Sequence, residues 1–135
     1  MKNLLKTLTL STALIGFCLS QNAFAKVNWQ PYSSAALQNA EKQAKTVVLG
    51  FHKRGCPTCD TQDAALEKAG INNANILALR VERNDSSLEN VYEKYGFNKR
   101  QWSALVALKN GKEIARLAPG TTNENQIQSF VSGLN

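Results

Sequence analysis

The sequence predicts a single α/β domain, and three observations carry that reading. Two short runs, the continuously apolar 46–52 and the mostly apolar 76–81, have the length of buried strands. Stretches with helical spacing of apolar residues and recognisable start signals alternate with them. Asn110-Gly111 sits between two further segments, 104–108 and 113–117, and is the strongest short-range sign of a hairpin.

Each element follows from local chemistry. Residues 27–32 form a short extended start that Pro31 keeps from being helical. Ser33 or Ser34 caps a helix over about 35–45, with Leu37, Ala40, Ala44 and Ala36 toward the core. Thr46 opens the central strand, which runs to His52. Pro57 suits the first helical position behind a cap at Cys56, and the helix continues through Ala64, Ala65 and Leu66 to Gly70. Residues 76–81 form the second buried strand. Ser86-x-x-Glu89 has the form of a capping box, opening a helix with Leu88, Val91, Tyr92 and Tyr95 inward and Gly96 at its end. Strands 104–108 and 113–117 flank the hairpin turn. Thr121-x-x-Glu124 opens the last helix, whose Ile127, Phe130, Val131 and Leu134 make one apolar stripe. The order is β-α-β-α-β-α-β-β-α, without internal repeat or linker.

The first 25 residues stand apart from this pattern. Lys2 and Lys6 give a positive start, residues 8–19 a short apolar core, and Ala23-Phe24-Ala25 an A-x-A cleavage site. Together they read as a secretory signal peptide cut after Ala25, leaving residues 26–135 as the domain and a periplasmic location. An apolar core of about a dozen residues is too short to span a bilayer, so no stable membrane insertion is expected. Cys18 follows Phe17 rather than the small residue a lipoprotein site requires.

Removing Lys2 and Lys6 lowers the formal charge of +6 by two, and the remaining Lys and Arg are scattered. Nucleic acid is therefore not an expected partner. Of three cysteines, Cys56 and Cys59 remain after cleavage. Their disulfide would close a tiny loop and restrain little unfolded-chain entropy, so chemistry explains the pair better than stapling. With Cys56 at a helix N-terminus, backbone N–H groups and the helix dipole favour the attacking thiolate. Cys59 lies one turn further on, within reach as a resolving thiol. Metal binding is the competing reading. Tetrahedral zinc wants four ligands, and the domain offers Cys56, Cys59 and His52, with Asp60 or Asp63 as a poor fourth.

The element order, Phe51 with Cys56-Pro57-Thr58-Cys59, Tyr95-Gly96 and Lys109-Asn110-Gly111 resemble the thioredoxin-like superfamily over nearly all of residues 27–134. The Pro-Thr dipeptide is similar to that of exported reductases of cytochrome c maturation. The resemblance implies a central mixed sheet with helices on both faces. It implies a thiol–disulfide oxidoreductase with Cys56 and Cys59 as catalytic pair, acting on protein thiols and disulfides. A second protein would recharge it, and a monomer without cofactor or metal is expected. Three positions depart from the family. Gly55 stands where Trp is usual, Gly50 where a buried Asp manages the second thiol's proton, and Ser103 where a cis-proline faces the disulfide. A cis bond before serine costs about 2.5–4 kcal/mol, so a trans bond is expected. Trp102 and Ser103 are the expected substrate-binding residues, the Ser103 hydroxyl being able to bond a thiolate or a substrate backbone. Without the shielding proline the thiols could take Cu(I) or an iron–sulfur cluster. A binding module whose disulfide is no longer turned over is the third reading.

Overall fold

The computed structural model describes residues 26–135; the expected signal peptide, with its cleavage site and Cys18, lies outside the described residues. The elements are β1 (Gln30–Pro31), α1 (Ser34–Lys42), β2 (Thr46–His52), α2 (Pro57–Lys68), β3 (Ile76–Glu82), one 3₁₀ turn (Ser86–Leu88), α3 (Glu89–Lys94), β4 (Ala104–Lys109), β5 (Lys112–Leu117) and α4 (Glu124–Ser132).

The sheet runs β1-β3-β2-β4-β5. β3 lies parallel to both β1 and β2, whereas β4 is antiparallel to β2 and β5 to β4. β2 is the centre, paired from Thr46↔Ile76 to His52↔Glu82 on one side and from Thr46↔Lys109 to Phe51↔Ala104 on the other. Successive side chains on a strand point to opposite faces. Val47, Leu49 and Phe51 accordingly join Leu37 and Ala40 of α1 and Val91 and Tyr92 of α3 in one core. Val48 joins Ala65 and Leu66 of α2 and Ile127, Phe130 and Val131 of α4 in the other. Two buried faces explain why β2 reads as an unbroken apolar run.

Three local expectations are corrected. α1 ends at Lys42, because Ala44 takes a left-handed φ of 54° that turns the chain into β2; Ala44 is exposed and outside the core. The Ser86 capping box gives way to Asp85, whose carboxylate accepts from the Ser87 N–H and caps the 3₁₀ turn before α3. α4 is capped by Asn123, which accepts from the Gln126 N–H, while the Thr121 hydroxyl bonds the Ala118 carbonyl. The hairpin matches its sequence signal: φ is 51° at Asn110 and 73° at Gly111, the two positive values a type I′ turn needs. Among the described residues no helix is long and apolar enough to cross a membrane.

Candidate active site

The two cysteines sit where the central strand delivers the chain to α2. After His52 the backbone turns through Lys53, Arg54 and Gly55, and Gly55 has φ 75°. A side chain there would strain that left-handed turn, which accounts for glycine directly before the first cysteine. Cys56 is the N-cap of α2 and Pro57 its first residue. In place of the usual oxygen, the Cys56 sulfur accepts from the Cys59 N–H at 3.2 Å. Both sulfurs are free thiols, and the residues are 7% and 2% exposed respectively.

Opposite them lies Ser103, the residue before β4. Its peptide bond is trans, as the sequence predicts, but its φ of 57° is a left-handed conformation that no sequence signal announced. Such a conformation costs a non-glycine residue about 1–2 kcal/mol. Hydrogen bonds to the main chain hold it in place. The Ser103 N–H donates to the Phe51 carbonyl at 2.7 Å, and its carbonyl accepts from the Gly120 N–H at 3.1 Å. The Gln62 amide, buried on α2, donates to both the Ser103 and the Thr121 carbonyls at 2.9 Å. With three such bonds worth about 1 kcal/mol each, the strain is offset. The side chain is thereby aimed at the thiols: Ser103 Oγ lies 3.3 Å from Cys56 Sγ and 2.8 Å from Cys59 Sγ.

The two thiols differ in their electrostatics. Burial pushes the Cys56 thiol up, but hydrogen bonds from the Cys59 and Ser103 side chains and from the Cys59 and Thr58 backbone outweigh it. The net effect holds Cys56 below the ordinary thiol value. Burial pushes the Cys59 thiol up, and the bond it makes to Cys56 adds to that. The arrangement favours a thiolate at Cys56 and a protonated Cys59.

Trp102, Lys99 and His52 each make a contact of their own. Trp102 is half-buried, with the Lys53 ammonium 4.3 Å from its ring centroid. Together with Thr58, Arg100, Ser103, Pro119 and Gly120 it lines a groove of about 260 Å³. Lys99 pairs with Glu89 at 3.1 Å and is exposed. His52 is paired with Glu82 (Nδ1 to Oε1, 2.5 Å), and the second Glu82 oxygen is buried without a partner among the described residues. Among the described residues no three His, Cys, Asp or Glu side chains are grouped as metal ligands.

One cluster escaped the sequence. The Trp29 ring packs so tightly over Gly50 that an added Cβ would meet ring carbons at 2.5 and 2.7 Å. Trp29 Nε1 donates to Asp63 Oδ1 at 3.2 Å, Arg80 Nη2 donates to Asp63 Oδ2 at 2.6 Å, and the guanidinium stacks 4.2 Å from the Trp29 ring. Gln62 is the second residue missed. A polar side chain one position from Asp63 gave no sign that it would be buried against two carbonyls.

No family model matches the sequence, and no curated protein matches it. Its fold does have solved counterparts. Trxlp of Edwardsiella tarda matches with a TM-score of 0.65 and 22% identity, over 76% of this chain and 97% of that one. The thioredoxin of Malassezia sympodialis (Mala s 13) gives 0.61 and 19%, over 82% and 96%. Thioredoxin O2 of Arabidopsis thaliana, in its oxidised state, gives 0.61 and 16%, over 78% and 93%. The five-stranded mixed sheet with helices on both faces is a thioredoxin-like fold.

Proposed function

We propose that this chain is an exported thiol–disulfide oxidoreductase that exchanges disulfides with protein partners through Cys56 and Cys59. The observation that carries the proposal is the asymmetry of the pair. Cys56 caps a helix and is held below the ordinary thiol value, while the more deeply buried Cys59 is held above it. The Cys56 thiolate attacks a partner disulfide, forming a Cys56–partner bond and releasing the other partner sulfur as a thiolate. Cys59 then attacks Cys56 Sγ, closing the Cys56–Cys59 disulfide and releasing the partner as a thiol. The reverse sequence oxidises a partner. No dissociable cofactor takes part. The groove walled by Trp102 and Arg100 is where the partner surface would rest. Export rests on the charged start, apolar core and A-x-A site of residues 1–25, and places the reaction in the periplasm.

The test is a Cys59→Ser variant expressed with its leader. Mixed disulfides with specific proteins should accumulate and vanish when Cys56 is also changed to Ser. No trapped species, with stoichiometric copper or iron in the purified wild type, would replace this reading with a metal-binding one. No trap, no metal and an inert disulfide would indicate a binding module. Equilibration with glutathione assigns direction, an oxidant lying near about −120 mV and a reductant near about −270 mV.

A further inference from the structure

In the exchange reaction proposed above, on which this inference rests, two sulfurs take turns as the anion. Cys56 carries the charge before a partner is attacked, and Cys59 carries it as the mixed disulfide is resolved. One hydroxyl stands within hydrogen-bonding reach of both, 3.3 Å from Cys56 Sγ and 2.8 Å from Cys59 Sγ. We propose that Ser103 is a third catalytic residue, whose O–H donates to the Cys56 thiolate in the dithiol form and swings to the Cys59 thiolate during resolution.

Three features support this role. A hydroxyl proton rotates freely, so one serine serves either sulfur without moving its heavy atoms. Those atoms are fixed: Ser103 is 1% exposed, and its N–H and carbonyl are both bonded within the protein. The third feature is what else could steady a Cys59 thiolate. Once Cys56 is in the mixed disulfide, its sulfur is neutral and has no proton to donate. The Lys53 N–H contributes a main-chain hydrogen bond to Cys59, but it is fixed in place. Asp63, the acid one turn beyond Cys59, is engaged by Trp29 and Arg80, and position 50 on the neighbouring strand is filled by the Trp29 ring. Among the described residues no carboxylate is hydrogen-bonded to either sulfur. The Ser103 hydroxyl is the mobile donor at hand.

The chemistry balances. Cys59 loses its proton to solvent and its thiolate attacks Cys56 Sγ. The Cys56–partner S–S bond breaks as the Cys56–Cys59 bond forms, and the partner sulfur leaves with the electron pair and takes a proton from solvent. Cys56 and Cys59 are oxidised together, the partner disulfide is reduced, and Ser103 keeps its own proton throughout.

The experiment compares wild type with Ser103→Gly, which suits the left-handed backbone and deletes only the hydroxymethyl group, and with Ser103→Ala. Two pH profiles are measured. The first is alkylation of Cys56 by iodoacetamide in a Cys59→Ser background. The second is closure of a glutathione adduct on Cys56 to the Cys56–Cys59 disulfide after a pH jump, followed by acid quench and intact mass. Loss of the shared donor should raise both midpoints by about one pH unit and slow each step about threefold at neutral pH, the tenfold smaller thiolate fraction being partly offset by the greater nucleophilicity of the more basic sulfur. A purely structural role would not move the two midpoints in parallel in a variant with wild-type circular dichroism. Unshifted profiles in Ser103→Gly, with a normal glutathione adduct, would overturn the serine's role and leave the exchange reading standing. Failure of oxidised glutathione to form any adduct on Cys56 would overturn both.

Discussion

The Trp29 ring occupies the space that a side chain at Gly50 would need: an added Cβ lies 2.5 Å from Cη2. Gly50 is on the face of β2 that packs against α2, next to Val48, and its register partner on β3 is Arg80. The carboxylate that a thioredoxin-like strand would place here is thus sterically excluded, and an acid stands instead on α2, as Asp63, paired with that same Arg80.

Gly50→Asp should therefore lower stability by about 2–4 kcal/mol, combining overpacking with burial of a charge beside an apolar ring. In a Trp29→Ala background the same substitution should cost clearly less, since the ring is gone and Arg80 is at hand. Urea midpoints of the four proteins in the cycle measure this. An equal cost in both backgrounds would rule out the steric account.

Asp63→Asn removes the charge that Arg80 pairs with while leaving an oxygen for Trp29 Nε1. Both side chains of the ion pair are about four-fifths buried, so the loss should fall between surface and interior values, at about 1–2 kcal/mol. Thermal unfolding at low and high salt checks it. A surface-like pair would give a difference that disappears in salt.

The two thiols should tilt stability with pH in opposite directions. The fold favours the Cys56 thiolate, holding that group below its ordinary value of 9.0. Its contribution is therefore full above 9.0 and lost as pH falls through the folded value. The fold favours the neutral form of Cys59, whose ordinary value is also 9.0. That contribution is full below 9.0 and lost as pH rises through the folded value. Reduced Cys59→Ser should thus gain stability on approach to 9.0 from below, and reduced Cys56→Ser should lose it beyond 9.0. Denaturant midpoints against pH give both signs.

Gln62→Ala deletes the buried amide that ties α2 to the Ser103 and Thr121 carbonyls. About 1–3 kcal/mol should be lost, the larger share from the Thr121 carbonyl, because that of Ser103 keeps its Gly120 donor. A loosened Ser103 should also weaken the hydrogen bonding of Cys56 and move its alkylation midpoint toward 9.0. Unfolding and iodoacetamide titration of the one variant would separate the two effects.

The parts legible in the sequence are those with a short-range cause. β2 shows as an unbroken apolar run because both of its faces are covered, the Asn110-Gly111 turn because its backbone excludes most residues, and α2 because Cys56-Pro57 starts a helix. Helix caps were less legible. Asp85, Ser86 and Ser87 compete within three positions, as do Thr121, Thr122 and Asn123, and the outcome depends on the path of the incoming backbone. The Trp29–Asp63–Arg80 cluster was illegible for another reason: its members are 34 and 17 positions apart, on β3, α2 and the segment before β1, and no periodicity links them. At Ser103 the hydroxyl's neighbours followed from the position, but the left-handed backbone did not, because the bonds that hold it come from Phe51, Gln62 and Gly120.

Those same bonds decide how another chain could touch this site. At Ser103 both main-chain groups point inward, to Phe51, Gly120 and Gln62, so a visiting polypeptide cannot extend the sheet through this residue. What faces outward beside it is a tryptophan and an arginine. Under the proposed function such a surface would read the shape and charge of a partner's exterior without requiring an unravelled strand, so a disulfide on a folded protein would meet its demands as well as one on an unfolded chain.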